Sequence, residues 1–158
     1  MTGRATLDSN ILIYAELEPD SDKGALAQRM IVQAAPRGVL TVQALLEFLA
    51  VVRRRRPESL PSAMEKVEAW TAVFETAPTT APVLKAASAL VRVHHFQVWD
   101  AVIWSAARIA GATLFLSEDL HDGLQLGGLT AINPFNHDPD ALDRYFGGAV
   151  PPASSRHR

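Results

Sequence analysis

Val98-Trp-Asp-Ala-Val-Ile-Trp-Ser-Ala-Ala-Arg-Ile-Ala-Gly-Ala-Thr-Leu-Phe-Leu-Ser-Glu-Asp119 decides how the chain is ordered. Val98 to Ala110 repeats apolar residues at helical spacing, Gly111 closes the helix, and Thr113-Leu-Phe-Leu-Ser117 is the clearest strand in the chain. Upstream, Pro82 suits the first turn of a helix running to about His94, and Val73-Phe-Glu-Thr76 reads as a strand. Ser59-Leu-Pro-Ser62 opens a helix carrying Met64, Val67 and Trp70, after Pro57 ends a longer helix. That longer helix spans Val42 to Arg55, with Leu45, Phe48, Leu49 and Val52 on one side. Val39-Leu-Thr41 is a buried strand set off by Pro36-Arg-Gly38, which stops a helix that starts at Asp20-Ser-Asp-Lys23 and ends near Ala35. At the start, Ala5-Thr-Leu7 reads as a strand ending at Asp8, with a helix from Ile11 to Leu17. Downstream, Leu129-Thr-Ala-Ile132 gives a last strand before Asn133-Pro-Phe135.

Strands alternating with helices predict an α/β fold: a mainly parallel sheet, joined by right-handed crossovers and covered on both faces. Residues 1–135 form the expected domain. Residues 136–158, with Gly147-Gly148, Pro151-Pro-Ala-Ser-Ser155 and Arg156-His-Arg158, are expected to be a partly mobile extension, of which Tyr145 and Phe146 dock on the body of the domain.

The 158 residues, 48% hydrophobic and 20% charged, suit one soluble domain with a core of its own. With no cysteine, disulfides and thiolate metal sites are excluded, and a reducing cytoplasm is the expected location. Met1-Thr-Gly-Arg-Ala-Thr-Leu-Asp8 is expected to be neither export signal nor membrane span. A net charge of −2 gives no global attraction for nucleic acid, so any RNA contact needs a local basic surface.

The acids carry the most information. Most lie in polar stretches, but Asp8, Glu47 and Asp100 each stand alone in apolar surroundings, where an unpaired carboxylate is costly. Asp8 and Ser117-Glu118-Asp119 end strands, at the edge of an open sheet where ligands gather. Glu47 lies on a helix that begins beyond a strand end, and Asp100 lies in the first turn of its helix. Taken singly, Asp8 can cap a helix, Glu47 can be a solvated edge residue, Asp100 can favour the helix dipole and Asp119 can be a turn residue. A single cation accounts for all four at once. An all-oxygen set fits Mg²⁺ or Mn²⁺ better than zinc, for which no HExxH pair exists. Such ions can activate water for in-line attack on a phosphodiester.

Leu7-Asp-Ser-Asn-Ile-Leu-Ile-Tyr14, Ala44-Leu-Leu-Glu-Phe-Leu49, Val98-Trp-Asp-Ala-Val-Ile103 with Ala106-Ala107 and Gly111, and Leu116-Ser-Glu-Asp-Leu120 resemble, in this order and spacing, the PIN domain of VapC-type toxins. The resemblance runs from about Ala5 to Phe135. It implies a three-layer α/β/α fold with a parallel sheet of about five strands. It also implies that Asp8, Glu47 and Asp100 coordinate metal, that Asp119 is the further acid, and that Ser117 supports the site. Asn10, just past Asp8, is a further supporting candidate. Asp122 competes with Asp119 as fourth acid, Asp119 being favoured, and Glu118 is expected to point away or to cap the next turn. The implied activity is Mg²⁺- or Mn²⁺-dependent RNA cleavage by the toxin of a toxin–antitoxin pair. The implied partners are RNA, a small VapB-type antitoxin and a second copy in a homodimer.

Two other readings compete. A structure-selective DNA nuclease would need a clamping insertion for which this compact chain has no room. A non-catalytic RNA- or partner-binding module would not need the intact acid set. A phosphotransfer fold is disfavoured because Asp8-Ser-Asn10 lacks the second aspartate of a DxD motif. Arg53-Arg-Arg-Arg56 is the strongest cationic run, suited both to RNA phosphate and to the negative end of a helix. His94 and His95 fit a helix end and His121 a surface turn. Trp70, Trp99 and Trp104 fit core or dimer packing.

Overall fold

A computed structural model describes residues 3–146. The chain runs β1 (Arg4–Leu7), α1 (Ser9–Leu17), α2 (Asp22–Ala34), β2 (Val39–Thr41), α3 (Val42–Arg55), α4 (Leu60–Val73), β3 (Glu75–Ala77), α5 (Ala81–His94), α6 (Val98–Ile109), β4 (Ala112–Leu116), β5 (Gln125–Leu126), β6 (Leu129–Ile132) and α7 (Pro139–Leu142). The sheet has the order β3-β2-β1-β4-β6-β5. All pairings are parallel except the last, where β5 runs antiparallel to β6. A PIN-like α/β architecture with a mainly parallel sheet is therefore present, with a two-residue antiparallel strand added at one edge.

Two apolar layers sandwich the sheet. Leu7, Leu40, Leu114 and Leu116 pack against Ile11, Leu12, Met30, Phe48 and Val52 of α1–α3. Val39, Phe115, Leu129 and Ala131 pack against Val83, Ala87, Ile103 and Trp104 of α5 and α6. Alternate strand residues thus feed opposite layers, as the two-residue strand period requires, and burying each large side chain contributes about 1.5–3 kcal/mol. Trp104 is fully buried and Trp70 packs on Phe48, with ring centroids 5.1 Å apart. Trp99, by contrast, is 57% exposed, so it is not a core residue of this chain.

Several boundaries differ from the sequence expectation. The strand expected at residues 73–76 lies at Glu75–Ala77, because α4 continues through Val73 and Phe74 caps it. The two-residue strand β5 was not expected. It forms because Gly127 and Gly128, with φ of 61° and 82°, close a tight hairpin back to β6, a conformation glycine adopts without strain. His95 is the left-handed C-terminal residue of α5, with φ 58°, as a helix-end role implies.

Beyond Phe135, the expected extension begins as packed structure. Leu142 is buried in the α1–α3 core layer, and Tyr145 and Phe146 rest against it. Asp143 takes hydrogen bonds from Arg29 at 2.8 Å and Gln33 at 2.6 Å, which hold its carboxyl below the usual range. Residues 147–158 of that expected extension lie outside the described residues. Among the described residues no helix is long and apolar enough to cross a membrane.

Candidate metal centre

The strand order puts β1 and β4 side by side in the middle of the sheet, so Asp8 and Ser117 leave adjacent strands at the same edge. The backbone N–H of Asp8 donates to Leu116 at 2.9 Å, and that of Ser117 donates to Ile132 at 3.1 Å. Asp8 is only 1% exposed. It is the N-cap of α1 and accepts from the Ser9 N–H at 2.7 Å, so the capping role foreseen for it is real. Its other carboxylate oxygen accepts from Ser117 Oγ at 2.6 Å.

Ser117 and Asn10 tie this side of the site together. Ser117 Oγ also accepts from the Asp119 N–H at 3.1 Å. Asn10 Nδ2 donates to Asp119 Oδ2 at 3.1 Å and reaches Ser117 Oγ at 3.4 Å and Asp8 Oδ2 at 3.5 Å. Asn10 Oδ1 accepts from the Glu118 N–H at 3.4 Å. A single amide side chain thereby spans the ends of both central strands.

Asp100 enters from the first turn of α6 and Glu47 from α3. Electrostatics show how near the four acids lie. Burial, followed by repulsion from Asp100 and Asp119, pushes Asp8 up to about 7 against the lowering effect of the Ser117 and Ser9 hydrogen bonds. Burial, followed by repulsion from Asp119 and then Glu47, pushes Asp100 up to about 6. Asp8, Asp100 and Asp119 thus repel one another across the site, and Glu47 joins this loose acidic cluster through Asp100.

None of the four forms an ion pair with a lysine, arginine or histidine among the described residues. Nor, among those residues, are three acid or histidine side chains drawn together as a ready-made metal cage. The donor set still fits a hard divalent cation: it is all oxygen, partly buried, self-repelling and without a cationic partner.

Three other residues of the 117–123 loop lie differently. Asp122 turns aside, accepting from the Asn133 N–H at 2.9 Å and meeting His137 Nε2 at 2.9 Å. It anchors the loop to the segment after β6, while Asp119 is the acid that faces the cluster. Glu118 also points away, into a partnership invisible in the sequence: it accepts from Tyr14 Oη at 2.5 Å and pairs with Lys23. Burial alone would raise the Glu118 pKa, but the hydrogen bonds from Lys23 and Tyr14 outweigh it and hold the carboxyl below its ordinary value. His121 is exposed. Tyr14 and Lys23 were missed as part of this region; the only sequence signal was that Tyr14 follows Asn10 by one helical turn.

Arg53, Arg54, Arg55 and Arg56 are all exposed at the C-terminal end of α3. They do not touch the acidic cluster. At 1.5 Å per residue, Arg54 lies about 10 Å along the helix axis from Glu47.

The PIN domain family model matches residues 5–121. Among solved structures, the chain is similar to VapC20 of Mycobacterium tuberculosis, described as a sarcin–ricin loop cleaving toxin. That likeness has a TM-score of 0.61 at 16% identity, covering 73% of this chain and 91% of that one. It is also similar to a toxin–antitoxin complex from Klebsiella pneumoniae, with a TM-score of 0.61 at 15% identity, covering 82% and 97%. A third is the DNA-bound VapBC of Salmonella typhimurium, with a TM-score of 0.60 at 14% identity, covering 81% and 96%. At these identities the likeness is one of fold. No curated protein matches the sequence.

Proposed function

The chain belongs to the PIN domain family, and from that premise we propose that it is a divalent-metal-dependent endoribonuclease, the toxin of a toxin–antitoxin pair. The observation that carries this reading is the convergence of Asp8, Glu47, Asp100 and Asp119 without a cationic partner. Four carboxylates drawn from four elements and left to repel one another cost stability, and a bound cation offsets that cost. The toxin–antitoxin setting is supported by the similar solved structures, which are a VapC toxin and toxin–antitoxin complexes.

Asp8, Glu47, Asp100 and Asp119 would hold Mg²⁺ or Mn²⁺, which when bound supplies positive charge to the scissile phosphate and lowers the pKa of a nucleophilic water. Ser117 and Asn10 keep Asp8 and Asp119 oriented. Asp100 and Glu47, which accept no hydrogen bond among the described residues, are the carboxylates available to take up a proton as water attacks phosphorus. Asp122 supports the site at one remove, by pinning the loop that carries Asp119. The exposed Arg53–Arg56 run gives the RNA backbone a basic surface on the same helix as Glu47. Looped or single-stranded RNA suits an open sheet edge of this kind. A small antitoxin partner, a homodimer and a cytoplasmic location complete the reading.

Cleavage of total RNA with Mn²⁺, with Mg²⁺ and with a chelator tests it, using Asp100→Asn as control. Metal-dependent fragments that vanish with the chelator and with the variant are expected. Wild-type-like cutting by Asp100→Asn removes that residue from the site. A folded wild-type chain that cuts no RNA with either metal overturns the proposal in favour of a non-catalytic binding module.

A further inference from the structure

Glu118 stands between two residues of the acidic site yet takes no part in it. Its carboxylate is held from the side by Tyr14 Oη at 2.5 Å and by the Lys23 ammonium. Lys23 Nζ lies 3.4 Å from Tyr14 Oη and 5.1 Å from the ring centroids of both Tyr14 and Phe135. Those two rings meet edge-on, with centroids 5.3 Å apart. The ammonium, itself partly exposed, therefore lies against the Glu118 carboxylate, the Tyr14 hydroxyl and the rings of Tyr14 and Phe135, a setting that favours a cation.

The geometry couples this clip to the site. Asn10 and Tyr14 are four residues apart on α1 and share one helix face. The first donates to Asp119 and the second to Glu118. Two neighbouring acids of one loop are thus held by two neighbouring side chains of one helix, so the backbone that they share is anchored at both. Without Lys23, Glu118 would keep only the Tyr14 hydroxyl as a side-chain partner among the described residues.

We propose that Tyr14, Lys23 and Glu118 form a positioning clip for the acidic site, withdrawing Glu118 from the cluster and setting Asp119 toward Asp8 and Asp100. The inference rests on the reading of that cluster as a divalent-cation site, and it assigns the three residues no contact with substrate. They act through Asp119, as outer partners commonly act on the groups that bind a metal.

The test is Mn²⁺ affinity of the full chain, read by electron paramagnetic resonance and by calorimetry, for wild type, Glu118→Ala, Glu118→Gln, Lys23→Met and the Glu118→Ala/Lys23→Met double variant. Glu118→Ala and Lys23→Met should each weaken Mn²⁺ binding about 10-fold. The double variant should be no worse than either single one, because both break the same clip. Glu118→Gln, which keeps an acceptor for Tyr14, should restore part of the loss. A surface ion pair with a merely structural role would lower the melting temperature and leave the Mn²⁺ dissociation constant alone; that result overturns the clip while the metal site stands. A folded wild type that takes up no Mn²⁺ overturns both. Should Glu118→Ala fail to fold, unchanged affinity in Lys23→Met and Glu118→Gln is the overturning result.

Discussion

Asp8 and Asp119 on one side of the acidic cluster are tied to the protein, whereas Glu47 and Asp100 on the other are held only by their helices. Asp8 accepts from Ser9 and Ser117, and Asp119 accepts from Asn10. Glu47 and Asp100 have no such donor among the described residues, although they lie close enough for their charges to repel. The tied pair belongs to the two central strands and has its orientation set by folding. The untied pair keeps rotamer freedom, so its oxygens can settle around a cation and substrate at the cost of ordering two side chains. One half of the site is thus fixed in advance, and the other half adapts.

The largest expected effect comes from breaking the fixed half. Asp8→Asn should cut the single-turnover rate of RNA cleavage by about 10³-fold or more, while the metal-free variant melts at a higher temperature than wild type at pH 8. A variant that melts lower there would show that Asp8 is not the strained carboxylate described above.

The pH dependence of the metal-free protein sharpens the same point. With its folded pKa raised to about 7 from an ordinary value of 3.8, Asp8 binds a proton more tightly in the folded state than in the unfolded one. Its contribution is therefore fully present below about pH 4 and is lost as pH rises through 7, amounting to up to about 4 kcal/mol. Asp100, raised to about 6, acts in the same direction over a narrower window. Denaturant melts in chelator between pH 5 and 8 should show stability falling with pH, and Asp8→Asn should flatten the curve. Acid denaturation from other carboxylates sets the lower limit of that comparison.

Ser117→Ala removes the hydroxyl that serves both tied acids. It should cost about 1–3 kcal/mol in stability and weaken Mn²⁺ binding about 10- to 100-fold, read by melts and by calorimetry. Glu47→Gln gives the smallest change in stability, within about 0.5 kcal/mol, while still weakening Mn²⁺ binding. If Glu47→Gln destabilises the metal-free fold as much as Ser117→Ala does, the distinction between fixed and adaptable halves fails.

The features legible in the sequence were those with a local cause. The apolar periodicity of 42–55 and 98–110 placed α3 and α6 almost to the residue. Asp8, Glu47 and Asp100 stood out because each lay alone in an apolar stretch. The features that escaped depend on partners far along the chain. Glu118 finds Lys23 across 95 residues, and Asp122 is claimed by Asn133 and His137, which no spacing rule anticipates. The β5 hairpin did carry a local signal, Gly127-Gly128, whose paired left-handed conformations favour a two-residue turn. It was overlooked because a strand of two residues has no periodicity of its own.

The hydrogen bond from Ser117 to Asp8 joins residues 109 positions apart, and β4, which presents Ser117, must also find its neighbour β6. During synthesis, Asp8 and Glu47 therefore leave the ribosome well before the segment that completes their arrangement, and Asp100, on the helix just ahead of β4, shortly before it. A nascent chain, or one ended by a premature stop codon upstream of β4, carries Asp8, Glu47 and Asp100 but lacks Ser117, Asp119 and the central strand that β1 and β6 both pair with.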